Sequence, residues 1–108
     1  MKILHHPDKA DIQLSSVLYA LSDPIRLFIL YEIYKSGECT CGFIEVPVVK
    51  STVTHHVRTL REAGIVRVRT QGTQRFVSVR AEDLEERFPG LLQSVLAAYE
   101  ASGSPIPE

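Results

Sequence analysis

Of the 108 residues, 44% are hydrophobic, and twelve basic residues nearly balance thirteen acidic ones, which excludes extended disorder and fits one globular domain. No apolar run approaches the ~20 residues that cross a bilayer and no signal-peptide pattern opens the chain, so a cytoplasmic protein is expected. Cys39 and Cys41, one residue apart, do not form the disulfide framework of a small secreted domain.

Residues 1–10 (MKILHHPDKA) read as a flexible arm, with Pro7 and Asp8 ahead of any periodic pattern. Its His5–His6 pair is a metal candidate by residue type and a solvated pair by context. From residue 11 to 21, Ile12, Leu14, Val17, Leu18 and Leu21 recur at helical spacing. Ser22-Asp23-Pro24 then punctuates, with Asp23 as N-cap and Pro24 at the first helical position. The helix that follows, over 24–36, is apolar nearly all round and is expected at the buried centre of the domain, with Gly37 as its C-terminal cap. Glu38-Cys39-Thr40-Cys41 leads into a brief helix over 41–46, capped by Thr40 and stopped by Pro47.

In residues 50–64 (KSTVTHHVRTLREAG), Val53, Val57 and Leu60 fall on one side of a helix. The other side carries Ser51, His55, Arg58 and Thr59, with Thr52 and Thr54 on its flanks. Short hydrogen-bonding side chains at the start and a cation one turn later suit a helix lying in a DNA major groove. An ordinary surface helix shows the same wheel, so its neighbours must decide. Ser51 is expected as its cap and Gly64 as its stop. Two helices joined by three or four residues, the second polar outside, make a helix-turn-helix. His56, at the margin of the apolar side, is expected as packing. It stands ~100° from His55 around the helix, so a shared metal is not expected.

After Gly64 the period becomes two. Residues 65–70 (IVRVRT) alternate apolar and cationic, Gln71-Gly72-Thr73-Gln74 supplies a turn, and residues 75–80 (RFVSVR) return as a second strand. The facing of that strand is undecided, because Phe76, Val77 and Val79 do not share a side. A basic hairpin directly behind such a helix is a wing. Residues 50–80 hold Lys50, Arg58, Arg61, Arg67, Arg69, Arg75 and Arg80 against Glu62 alone, a balance of +6, and the remainder of the chain balances at −7. The near-neutral total therefore hides a patch able to bind DNA by releasing counterions. Chance clustering in a solvated segment is the plain alternative.

Residues 81–87 (AEDLEER) begin a last helical region, acidic in its first turn, as the helix dipole favours. Phe88-Pro89-Gly90 interrupts it, and Leu91, Leu92, Val95, Leu96 and Tyr99 continue an apolar stripe. The first and last helices offer more apolar face than a small core covers, so pairing with a second copy over residues 11–21 and 84–99 is expected. The predicted fold class is mainly α (α+β): a winged helix-turn-helix over residues 11–100 with a two-stranded β-hairpin wing, terminal helices as a dimer interface, and a flexible tail over 101–108.

Taken in order, Ala20-Leu21-Ser22-Asp23-Pro24-Ile25-Arg26-Leu27, Lys50-Ser51-Thr52-Val53-Thr54-His55-His56-Val57, Leu60-Arg61-Glu62-Ala63-Gly64-Ile65-Val66 and the wing Arg69-Thr70-Gln71-Gly72-Thr73-Gln74-Arg75 resemble the ArsR/SmtB family of bacterial transcriptional repressors. The likeness runs from about residue 12 to 99. It implies a homodimer that represses nearby genes from an inverted-repeat operator in double-stranded DNA. Carried over by position, Ser51, Thr52, Thr54 and His55 would face base edges, with Arg58, Arg69, Gln71, Thr73 and Arg75 on phosphates or the minor groove and Lys50 also among the DNA-binding residues. Glu38-Cys39-Thr40-Cys41-Gly42 resembles the cysteine segment with which arsenic and cadmium sensors of the family hold metal. Three readings of the releasing signal stay open: a thiophilic metal or metalloid at Cys39 and Cys41, oxidation of these thiols, and an unidentified effector or none. A third cysteine is missing, Phe43 and Ile44 follow directly, and the last helix lacks the Asp/His spacing of the family's zinc sensors.

Two other classes compete. A thiol enzyme would have to use Cys39 or Cys41, yet a dithiol reductase spaces its cysteines by two in a βαβ setting, which this chain lacks. A winged helix that binds only protein would have no need of the basic 50–80 cluster.

Overall fold

In chain order, residues 4–40 and 49–103, those described by this computed structural model, form helix α1 (Leu14–Ala20), helix α2 (Pro24–Ser36), strand β1 (Glu38–Thr40), helix α3 (Lys50–Glu62), strands β2 (Val66–Gln71) and β3 (Gln74–Val79), and helices α4 (Ala81–Arg87) and α5 (Leu91–Ala101). The brief helix expected over 41–46 lies outside the described residues. Among those described, no single helix is long and apolar enough to cross a membrane.

Asp23 starts α2 as its sequence position predicts. Its Oδ1 accepts from the backbone N–H of Ile25 at 2.8 Å and of Arg26 at 3.1 Å, satisfying two donors that a helix start leaves open. Ile29, Leu30 and Ile33 of α2 are fully buried and meet Val17 and Ala20 of α1, Val53, Val57 and Leu60 of α3, and Leu92 and Leu96 of α5 in one core.

The structure corrects two helix starts. Ile12, expected on the first helix, lies ahead of it, between a 3-10 turn at Lys9–Asp11 and α1. It is fully buried because it fills the space above Gly64, where a Cβ would stand 2.6 Å from Ile12 Cγ1. Ser51, expected as the cap of α3, is one residue inside it. The cap is the extended Val49, with no side-chain bond to the helix.

The stop of α3 falls where expected. The N–H of Gly64 (φ +88°) bonds the carbonyl of Arg61 and the N–H of Ile65 bonds that of Leu60, a Schellman closure that needs a left-handed residue.

The expected two-stranded hairpin is present as β2 and β3, and β1 joins it. The sheet is three-stranded and antiparallel in the order β1-β3-β2, with Glu38, Cys39 and Thr40 opposite Ser78, Val77 and Phe76. This places β3 at the centre and explains why its facing is ambiguous in sequence. Val77, opposite both Val68 and Cys39, is fully buried, whereas Phe76, opposite Arg69, lies under that arginine on the other face. The turn is the two residues Gly72-Thr73, with Gly72 at φ +62°.

Residues 4–10 lie along the body. His6 Nε2 accepts from the N–H of Val68 at 3.0 Å, and the carbonyls of His5 and Pro7 accept from Arg61 (3.0 Å) and Arg80 (2.8 Å).

Gly64→Ala combines a left-handed alanine with a clash against Ile12 and should cost about 3 kcal/mol, the sum of typical penalties for each. That is roughly 10–20 °C in Tm for a domain of this size. Thermal unfolding followed by circular dichroism checks it, and a shift under a few degrees would show that Ile12 moves aside at little cost.

Candidate nucleic-acid interface

Burial on α3 follows the wheel. Val53, His56, Val57 and Leu60 are buried, and Lys50, Ser51, Thr54, His55 and Arg58 are exposed, with Thr52 half-buried beside them. Thr54 donates its hydroxyl to the carbonyl of Lys50 at 3.1 Å, one turn back, which leaves its oxygen lone pairs and methyl facing out. At the wing tip Gln71, Thr73 and Arg75 are exposed. The side chains expected at DNA thus share the outer side of α3 and the end of the hairpin.

The basic cluster does not present seven open cations. Arg80 is buried, donating to Asp83 (3.0 Å) and to the carbonyl of Pro7. Arg61 donates to the carbonyl of His5, Arg67 lies 3.6 Å from Asp83, and Arg69 is paired with Glu38 at 2.8 Å. The side chains of Lys50, Arg58 and Arg75 make no ion pair or hydrogen bond with any described residue. The Arg69 guanidinium holds the Glu38 carboxyl below its ordinary range by direct hydrogen bonding, and Glu38 raises Arg69 in return.

The recognition-type helix is braced from behind by Arg26, whose role was not legible in sequence, through His56. Arg26 of α2 is only 7% exposed. Its Nε donates to the carbonyl of Ala20 at 2.6 Å and its Nη1 lies 3.2 Å from His56 Nδ1. A guanidinium can only donate, so Nδ1 of His56 carries a lone pair and its proton sits on Nε2. Burial drives the His56 imidazole below its ordinary value. The Asp23 carboxylate pulls it upward, and the charges of Arg26 and then His55 add to the lowering. His6 is lowered in the same sense, again chiefly by burial. His56 is therefore packing, as its place at the margin of the apolar face suggested.

Cys39 is buried in β1, its strand neighbour being Val77. Cys41 lies outside the described residues. Among the described residues no group of three His, Cys, Asp or Glu side chains is placed to hold a metal, so Cys39 and its described neighbours do not by themselves make up a metal site.

No family model matches the chain. The chain is similar to an uncharacterized HTH-type transcriptional regulator of Bacillus subtilis, YceK, at 35% identity over 91 residues, covering 81% of this chain and 91% of that one. It is also similar to the arsenical resistance operon repressor of the same organism, at 32% identity over 79 residues, 71% of each chain. Among solved structures, an ArsR-like transcriptional regulator from Rhodococcus sp. RHA1 matches with a TM-score of 0.59 and 25% identity, over 82% of this chain and 90% of that one.

The neutral His56 implies a pH dependence. Its folded pKa lies below the unfolded value of ~6.5. Its contribution to stability is fully present above that value and is lost as pH falls below it, when the unfolded chain takes up the proton first. Lowering pH from about 7.5 to 5.5 should reduce the Tm of the wild type more than that of His56→Gln, which keeps an acceptor but does not titrate. Equal slopes would remove His56 as a source of acid sensitivity.

Proposed function

This chain belongs to the ArsR family of helix-turn-helix transcriptional regulators, and from that premise we propose that it is a homodimeric repressor that reads an inverted-repeat operator through α3 and the wing. Its relatives are regulators of transcription and not enzymes. The observation that carries the reading is the exposed outer side of α3 lying with three unengaged cations, Lys50, Arg58 and Arg75.

In this reading Ser51, Thr52, Thr54 and His55 meet base edges, Lys50, Arg58 and Arg75 meet phosphates, and Thr73 touches the backbone at the wing tip. Arg69 and Gln71, expected at the same backbone, bond to each other within the wing at 3.0 Å. Dimerisation is supported by Leu14 and Leu18 of α1, which remain 46% and 48% exposed, and by the half-buried Leu91 and Val95 of α5. A second copy placed on these faces covers them and sets two α3 helices about one turn of DNA apart. A regulator of this kind works on the chromosome, in the cytoplasm.

The wild type should run as a dimer by light scattering and bind one inverted repeat in the DNA upstream of its own gene, with log affinity falling against log salt at a slope near −5 for about six phosphate contacts per dimer. His55→Ala with Arg58→Ala should weaken that binding by about 100-fold or more and flatten the slope by about 2. Retained site-specific binding by this double variant would sink the assigned face.

Release by a thiophilic effector at Cys39 and Cys41 is the second reading. It is favoured by the similarity to an arsenical resistance operon repressor and by the pairing of the Cys39 strand directly with the wing. Arsenite, cadmium, zinc and peroxide are the probes. One of them should weaken operator binding by about tenfold, within the usual range of allosteric coupling, in the wild type and not in Cys39→Ser/Cys41→Ser. If none moves the affinity and the double variant matches the wild type, the cysteines are structural.

A further inference from the structure

Every nitrogen of one wing arginine is in use. Arg69 donates Nε to Oε2 of Glu38 at 2.9 Å, Nη2 to Oε1 of Glu38 at 2.8 Å and Nη1 to Oε1 of Gln71 at 3.0 Å. Its guanidinium carbon sits 4.3 Å from the centre of the Phe76 ring. One side chain on β2 is thereby held by a carboxylate from β1, a ring from β3 and an amide from its own strand. The arrangement depends on the third strand, because Glu38 reaches Arg69 only across β3, where Phe76 stands opposite both Arg69 and Thr40.

The pair faces outward, with side chains 48% and 38% exposed, on the same hairpin that ends in the unengaged Arg75. A carboxylate and a phosphate present the same two-oxygen edge to a guanidinium. An exposed ion pair is weak and screened by salt, so a phosphate brought alongside can compete for it.

We propose that Glu38 is a built-in competitor for DNA phosphate: it occupies Arg69, makes the pair electrically neutral toward DNA, and so limits how strongly the wing grips the backbone. This rests on the DNA-binding reading. It replaces the expectation from sequence that Arg69 contacts phosphate directly, and it adds Glu38 to the residues that set affinity.

The test is salt-dependent binding of the full-length protein to an operator-length duplex by fluorescence anisotropy. Glu38→Gln keeps the shape and removes the charge, and Glu82→Gln, at an exposed carboxylate that pairs with no described residue, controls for net charge. Freed of its carboxylate, Arg69 in Glu38→Gln should tighten binding about tenfold at 0.1 M salt and steepen the salt slope by about 2 per dimer, one phosphate per subunit. Removing both partners, Glu38→Gln with Arg69→Gln, should return affinity to within about twofold of the wild type with an unchanged slope, because a neutral pair has been exchanged for a neutral pair. If instead this double variant binds about tenfold more weakly with a slope shallower by about 2, Arg69 already sits on phosphate and the proposal is overturned. A Glu38→Gln affinity no higher than that of Glu82→Gln overturns it as well. A wild type with no salt-dependent DNA binding would bring down the DNA-binding reading itself, an outcome separate from either of these.

Discussion

A buried arginine holds α3 in place against α1 and α2. Arg26 enters the interior from the first turn of α2, bonds the carbonyl of Ala20 at the end of α1, and reaches His56 in the middle of α3. A buried guanidinium is tolerable only with its donors satisfied, and the end of a helix is a favourable place for it, because helix ends leave carbonyls without helical donors and carry the negative end of the dipole. The same residue donates its backbone N–H to the Asp23 cap. Three helices are thus tied at one junction, and the orientation of α3 relative to α1 and α2 rests on polar geometry as well as on apolar packing.

That junction explains the division of labour around α3. Its inner side combines Val53, Val57 and Leu60 with a neutral histidine, so one polar contact fixes its rotation about its own axis. Its outer side is left with short polar groups, His55 and two cations, Lys50 and Arg58. The Schellman closure at Gly64 then turns the chain directly into the wing, with Ile12 packed beneath the turn. Helix and hairpin leave that corner as one unit.

Charge is partitioned with the same economy. Arg61 and Arg80 fasten residues 5–7 to the body, Arg67 and Arg80 meet Asp83, and Arg69 meets Glu38. A patch that looks strongly basic by counting is therefore in large part scaffold, and the cations left to solvent are those at the start and middle of α3 and at the wing tip. A narrow set of this kind favours positional selectivity over general attraction to polyanions, in keeping with a chain of net charge −1.

Local chemistry alone determined the boundaries of α2, through Asp23-Pro24 and Gly37, the amphipathic wheel and the stop of α3, the hairpin with Gly72 at its turn, and the break at Phe88-Pro89-Gly90. Each depends on neighbours within one or two turns, which is the range over which capping, periodicity and backbone dihedrals act. Tertiary structure alone decided the rest. Strand β1 is three residues long, too short to show a period, and exists because the open edge of β3 accepts it. Arg26 meets His56 from 30 residues away and Arg69 meets Glu38 from 31, contacts that no local pattern specifies. Val49 rather than Ser51 caps α3. Which arginines stay open to solvent and which hold the fold together was likewise settled by the packing of distant segments, because a charge is legible in sequence and its partner is not.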